Sequence, residues 1–161
     1  MSEIVVFGGG CFWGVEDLIR KLEGVIDTEV GYCGGEGKLA SYLDVKKGQT
    51  GHAECVQVEF DSKIMSLSKL LGYFFRLHDP TTVNRQGNDV GSQYRSVIFY
   101  QNDEQKQVVE SVIAELNRSR VWPRPVVTQV VAAMPFYSAE EHHQDYLQKN
   151  PGGYTCHFWR G

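Results

Sequence analysis

EIVVFGGGCFWGVEDLIRKLEG, residues 3–24, decides how this chain folds. Its first five residues are a short apolar run stopped by three glycines, the pattern of a buried central strand. The period then changes. Val15, Leu18, Ile19 and Leu22 recur at helical spacing. Glu16 and Asp17 are expected in the first turn of that helix, Arg20 and Lys21 in its last, and Gly24 at its end. Strand, glycine turn and helix follow one another, with Cys11 at the junction.

Working outward, a second strand is expected over 25–33, closed by the glycines of GYCGGEG. From Glu54 to Phe60 the residues alternate strictly: Glu54, Val56, Val58 and Phe60 share one face, and Cys55, Gln57 and Glu59 the other. Leu67, Leu70, Leu71 and Phe74 mark a second helix, Tyr94–Tyr100 a strand, and Val108 to Leu116 a third helix. VVTQVVAA (126–133) marks a further strand. Ser138 with Glu141 fits a capping box for a last helix, ended by Asn150-Pro151-Gly152-Gly153. The order β-α-β-β-α-β-α-β-α predicts a two-layer α+β sandwich, a mixed sheet covered by helices, with a ferredoxin-like core and an irregular C-terminal tail. No linker or repeat divides residues 1–161, so one domain is expected. The long loops at 34–52 and 78–93 are of a length that is usually functional.

The chain has 161 residues, 42% of them hydrophobic, enough for a core without disulfides or metals. Sixteen basic and 20 acidic residues give a net charge of -4 without a Lys/Arg-rich run, which argues against nucleic-acid binding. The start, MSEIVVFGG, has neither the basic flank nor the apolar length of a signal peptide or membrane span. A cytoplasmic protein is expected, in which Cys11, Cys33, Cys55 and Cys156 rest as thiols and a disulfide among them serves catalysis or redox sensing.

Cys11 is the first candidate for chemistry. A helix N-terminus offers unpaired N–H groups and a favourable dipole to a thiolate, and the glycines admit a close approach. The plainer reading is a small buried hydrophobe. Phe12 and Trp13 read as core aromatics on their own, yet beside a reactive thiol they could hold an apolar methyl or thioether. Glu54 falls in line with core residues. If that face is buried, desolvation favours its neutral acid, a proton donor; a solvated or lysine-paired strand-end glutamate is the alternative. Asp89 and Tyr94, in GNDVGSQYRS, and Tyr42, in the other long loop, could steady an oxygen that gains charge, though each alone reads as structural. His142 and His143 are adjacent and no metal-ligand spacing is present, so no zinc is expected. Cys156, after a Gly-Gly pair in the tail, is a natural second thiol for Cys11, with Cys33 and Cys55 as competitors.

GCFWG (10–14), GHAE (51–54), GNDVGSQYRS (87–96) and NPGGYTCH (150–157) together resemble the peptide methionine sulfoxide reductase A family, in order and across essentially the whole chain. That resemblance implies Cys11 as nucleophile, Phe12 and Trp13 as the wall around the substrate methyl, and Glu54 as acid. It also implies Tyr42 and Tyr94 as hydroxyls facing the sulfoxide oxygen, Asp89 as a carboxylate of the same pocket, and Cys156 as the resolving thiol. The expected reaction reduces methionine sulfoxide, of the S epimer, free or in proteins, through a cysteine sulfenic acid and a disulfide. Thioredoxin or another dithiol reopens that disulfide. No bound cofactor, metal, nucleic acid or membrane is expected, and the chain is expected to be a monomer. Two rivals remain at this level: a cysteine hydrolase with His52 as base, and a non-catalytic thiol sensor.

Overall fold

A computed structural model describes residues 2–35, 51–155 and 157–160. The opening stretch folds as β1 (Ser2–Gly9) and α1 (Phe12–Ile19). The β2 (Val25–Cys33) and β3 (Ala53–Asp61) strands follow, then α2 (Leu67–Leu77), β4 (Arg85–Gln86) and β5 (Asp89–Val90). A 3-10 turn (Ser92–Tyr94) leads into β6 (Ser96–Tyr100), α3 (Asp103–Ser119), β7 (Gln129–Ala132) and β8 (Tyr137–Ser138). A second 3-10 turn (Glu141–His143) and a short α4 (Tyr146–Lys149) precede the tail.

Six strands form one sheet in the order β7-β6-β1-β3-β2-β8, antiparallel except for the parallel β6–β7 pair. The four inner strands, with α1 and α2 as their crossovers, give the expected ferredoxin-like arrangement. Strand parity decides what each face carries. Val5, Phe7, Val30, Tyr32, Val56, Val58, Phe60 and Ile98 all point toward the helices and are completely or almost completely buried. Phe7 stacks on Phe74 of α2, ring centroids 4.5 Å apart, a contact worth about 1 kcal/mol beyond the area it buries. The opposite face holds a smaller cluster of Val6, Cys33, Ala53, Cys55, Val97 and Phe99, covered by Val131 and Phe136. Ser66 caps α2 by accepting from the Lys69 N–H at 3.2 Å, and Asn102 caps α3 by accepting from Gln105 at 2.8 Å; each such cap is worth about 1 kcal/mol.

Several boundaries depart from the sequence reading. The α1 helix starts at Phe12 and ends at Ile19, so Glu16 and Asp17 sit in its second turn, while Gly24, at φ +101°, turns the chain into β2. Tyr94 belongs to a 3-10 turn ahead of the strand. The strand in VVTQVVAA shortens to Gln129–Ala132 because the Val126 and Val127 N–H groups are taken by Asn117 Oδ1 and the Pro80 carbonyl. Ser138 is not a helix cap: its backbone pairs with Gly31 and its hydroxyl donates to Glu29, so the stretch extends the sheet. The loop at 78–93 is not featureless, since β4 and β5 pair within it.

Candidate active site

The glycine turn after β1 sets the site. Gly10 has φ +99°, a conformation open to glycine, and a Cβ there would collide with Gln86 and approach His157 Nε2 at 3.0 Å. This tight turn leaves Cys11 as the N-cap of α1, with 7% of its surface exposed. At the same helix end the Phe12 N–H donates to Glu54 Oε1 at 3.3 Å. Glu54 lies on the helix-facing side of β3, opposite Tyr32 in the register and 1% exposed. The alternation read from the sequence thus put the carboxyl among core residues, and the sheet carries it to the helix end that bears Cys11. One of the helix's orphan N–H groups is answered by a side chain 42 residues away in sequence.

The aromatic neighbours differ in exposure. Phe12 is completely buried and packs on Tyr32 and His143, at centroid distances of 5.7 and 5.5 Å. Trp13 is half-buried. Its indole stacks on Tyr146 of α4, 3.8 Å between centroids and 10° between planes. The indole N–H donates to His143 Nδ1 at 3.0 Å, which requires that nitrogen to be unprotonated. Burial, and then the neighbouring His142, lower the His143 pKa and keep it in the accepting form.

Asp89 pairs with Gln86 across the β4–β5 hairpin, and Gln86 is the side chain lying against Gly10. Its carboxylate accepts from the Tyr154 hydroxyl at 3.2 Å. The turn that ends at Tyr94 packs against β3, the strand of Glu54. Tyr42 and Cys156 lie outside the described residues. The tail on either side of Cys156 is nonetheless tied to the site: Thr155 and His157 both lie against Gly14 of α1, and His157 Nε2 donates to the Gly9 carbonyl at 2.7 Å. Cys33 and Cys55 stand on the other face of the sheet, fully buried. Burial pushes the Cys33 thiol up to about 11 and Cys55 well above the usual thiol range, so neither carries a thiolate near neutral pH. His52 is buried, packs edge-on to Tyr137 at 5.7 Å and against Gly35, and has a pKa lowered by burial and by Arg95. Among the described residues no three His, Cys, Asp or Glu side chains form a metal-binding group, and no helix is long and apolar enough to cross a membrane.

Sequence reasoning missed His143 and Tyr146, which hold the Trp13 ring, and Gln86, which packs under the turn. The adjacent His142 and His143 suggest at most a metal ligand in the sequence. The indole partner of His143 is 130 residues away, and no local pattern connects the two. Tyr154 is part of GYTCH, but its bond to Asp89 depends on where the tail returns.

Comparison with known proteins agrees with this geometry. Residues 3–160 match the family model described as peptide methionine sulfoxide reductase. The chain is 53% identical to the peptide methionine sulfoxide reductase MsrA 1 of Mesorhizobium japonicum, over 99% of this chain and 90% of that protein. Its structure resembles Mxr1 from Saccharomyces cerevisiae in reduced form, with a TM-score of 0.93 and 38% identity, covering 99% of this chain and 93% of that one. Mxr1 in complex with Trx2 is also similar, with a TM-score of 0.68 and 25% identity over 99% of this chain and 91% of that one. The match spans the strand, glycine turn, helix and tail that build the site, and the chain therefore belongs to the peptide methionine sulfoxide reductase family of oxidoreductases.

Proposed function

We propose that this chain reduces methionine sulfoxide, of the S epimer, free or in proteins, to methionine, with Cys11 as nucleophile and Glu54 as acid. The observation that carries the reading is the 3.3 Å hydrogen bond from the Phe12 N–H to Glu54, because it sets a buried carboxyl at the helix end that bears the thiol. The N-terminus of α1 favours Cys11 as thiolate. Burial of Glu54 disfavours its charged form, and in the proposed reaction this carboxyl gives the proton. The Cys11 sulfur attacks the sulfoxide sulfur while Glu54 protonates the sulfoxide oxygen, aided by the Tyr42 and Tyr94 hydroxyls, with Asp89 in the same polar pocket. The protonated oxygen then passes to the Cys11 sulfur as the transient S–S bond breaks and its electron pair returns to the thioether, so that methionine leaves and Cys11 holds the oxygen as a sulfenic acid.

Cys156 then attacks that sulfur, water departs, and a disulfide closes; the packing of Thr155 and His157 against α1 supports this pairing over Cys33 or Cys55. Thioredoxin or another dithiol reopens the disulfide by exchange, in keeping with the Mxr1–Trx2 complex of the yeast relative. Trp13, steadied by Tyr146 and His143, and Phe12 behind it supply the apolar wall for the substrate methyl. This reaction calls on no bound cofactor.

The test is incubation with the S epimer of methionine sulfoxide and dithiothreitol. Methionine should appear with the native chain and not with Cys11→Ser. Without a reductant, Cys156→Ser should give one methionine per chain, and with thioredoxin in place of dithiothreitol it should not cycle. A native chain that makes no methionine refutes the reading, and undiminished cycling in Cys156→Ser moves the resolving step to another thiol.

A further inference from the structure

Glu16 is a buried carboxylate that the reaction above does not use. It stands on α1 five residues beyond Cys11, 2% exposed, and both of its oxygens are engaged. Oε2 accepts from the Thr28 hydroxyl of β2 at 3.0 Å, and Oε1 accepts from the backbone N–H of Asp145 at 2.9 Å. Burial raises its pKa, against the pull of those two hydrogen bonds. Asp145 is one of only three non-glycine residues at positive φ among the described residues, at +56°. Its side chain pairs with Arg20, also on α1. The next residue is Tyr146, whose ring lies flat on Trp13 at 3.8 Å.

A left-handed aspartate costs roughly 1 kcal/mol over a relaxed backbone and persists only where its surroundings hold it. Here the holding group is the Glu16 carboxyl. It receives the N–H of the strained residue and so fixes where Tyr146 departs from the chain. Burying a carboxyl on an amphipathic helix is unfavourable, and an apolar residue at this core-facing position would pack without that cost. The retained oxygens therefore point to placement of the 145–146 backbone rather than to filling space.

We propose that Glu16 is a positioning residue for the substrate wall: through the Asp145 N–H it holds Tyr146 against Trp13 and thereby sets affinity for the sulfoxide side chain. The proposal rests on the sulfoxide reductase reading for its kinetic arm and is independent of it for its spectroscopic arm. In Glu16→Leu both acceptors are gone at similar volume. KM for methionine sulfoxide should rise about tenfold, the size expected for losing one charge-assisted hydrogen bond, with kcat within about twofold. Glu16→Gln, whose carbonyl can still accept from Asp145, should stay near the native KM. In a Trp122→Phe, Trp159→Phe background, substrate-free Glu16→Leu should change the Trp13 emission as the indole loses its stacked partner, and Glu16→Gln should not. A folded Glu16→Leu chain with native KM, or with native Trp13 emission, overturns the proposal.

Asp145→Gly decides the matter even if Glu16→Leu does not fold. It removes the Arg20 ion pair but keeps the N–H and accepts the left-handed backbone, so KM should remain within about twofold of native. A tenfold rise there would assign the placement to the ion pair and overturn the role of Glu16. A native chain inactive toward the sulfoxide refutes the reaction, and the emission comparison still judges the clamp.

Discussion

In the proposed reaction a single carboxyl separates Cys11 from an inert buried thiol. Glu54 shares its strand face with Val56, Val58 and Phe60, all fully buried, and that company selects a protonated acid in the proposed reaction. Glu54→Gln keeps a hydrogen-bond donor in nearly the same volume and should retain part of the single-turnover rate. Glu54→Ala leaves the oxygen without a proton source and should slow methionine formation by about 10²- to 10⁴-fold, the usual worth of a general acid. Rapid-quench measurement of methionine from one turnover checks both; a native rate in Glu54→Ala removes the acid role. The other thiols show what the same burial does without a helix end. Cys33 and Cys55 lie on the far face, where burial raises their pKa values. Strand parity alone separated Glu54 from Cys55, and one step along the chain is the whole distinction between the two faces.

At the level of elements, the α1 helix and the tail meet through the absence of a side chain. Gly14 lies in the first turn of α1, where alanine would be the better helix former, yet a Cβ there would run into His157 Nδ1 and Thr155 Oγ1. Gly14→Ala should thus leave the helix intact, displace the residues that flank Cys156, and slow thioredoxin-driven cycling several-fold while single-turnover methionine formation stays near native. Equal losses in both assays would show that the substitution disturbs the helix itself. This contact also marks where reading the sequence stops. The β1–α1 junction, the Glu54 face and the ferredoxin-like order were legible, because each rests on periodicity within about ten residues. The stacking of Tyr146 on Trp13, the seat of His157 at Gly9 and the hairpin around Gln86 were not. Each joins positions far apart in the chain, and local patterns carry no record of such pairings. Ser138 shows the same limit in reverse: its capping signal is locally sound, but its backbone pairs with Gly31 at the sheet edge.

Across the whole molecule, histidines seated without charge tie stability to pH. His78, the C-cap of α2, contacts the Phe74 carbonyl and the Ser96 hydroxyl, both at 2.8 Å, and Ser96 continues to Thr128 at 2.7 Å. His157 anchors the tail to Gly9. Burial lowers their pKa values to about 3 and about 4, so both are neutral in the fold at pH values where the unfolded chain, with histidine near 6.5, already binds protons. The sign follows: between about pH 6.5 and pH 4 the unfolded state holds more protons, and stability falls as pH falls. Each fully uncharged histidine contributes a slope of about 1.4 kcal/mol per pH unit in that window. Glu16, with its raised pKa, contributes in the opposite direction, so the comparison is best made between variants. His157→Gln should lower stability at pH 7, where it loses packing. It should also flatten the dependence between pH 6 and pH 5 by about one proton's worth, roughly 1.4 kcal/mol per unit. Urea unfolding at a series of pH values reads that slope separately from the overall loss, since removed packing shifts the whole curve and a removed titration changes its steepness. Parallel curves for the native chain and His157→Gln would mean that the histidine takes up its proton inside the fold, and that the tail's seat on the glycine turn opens as the pH drops.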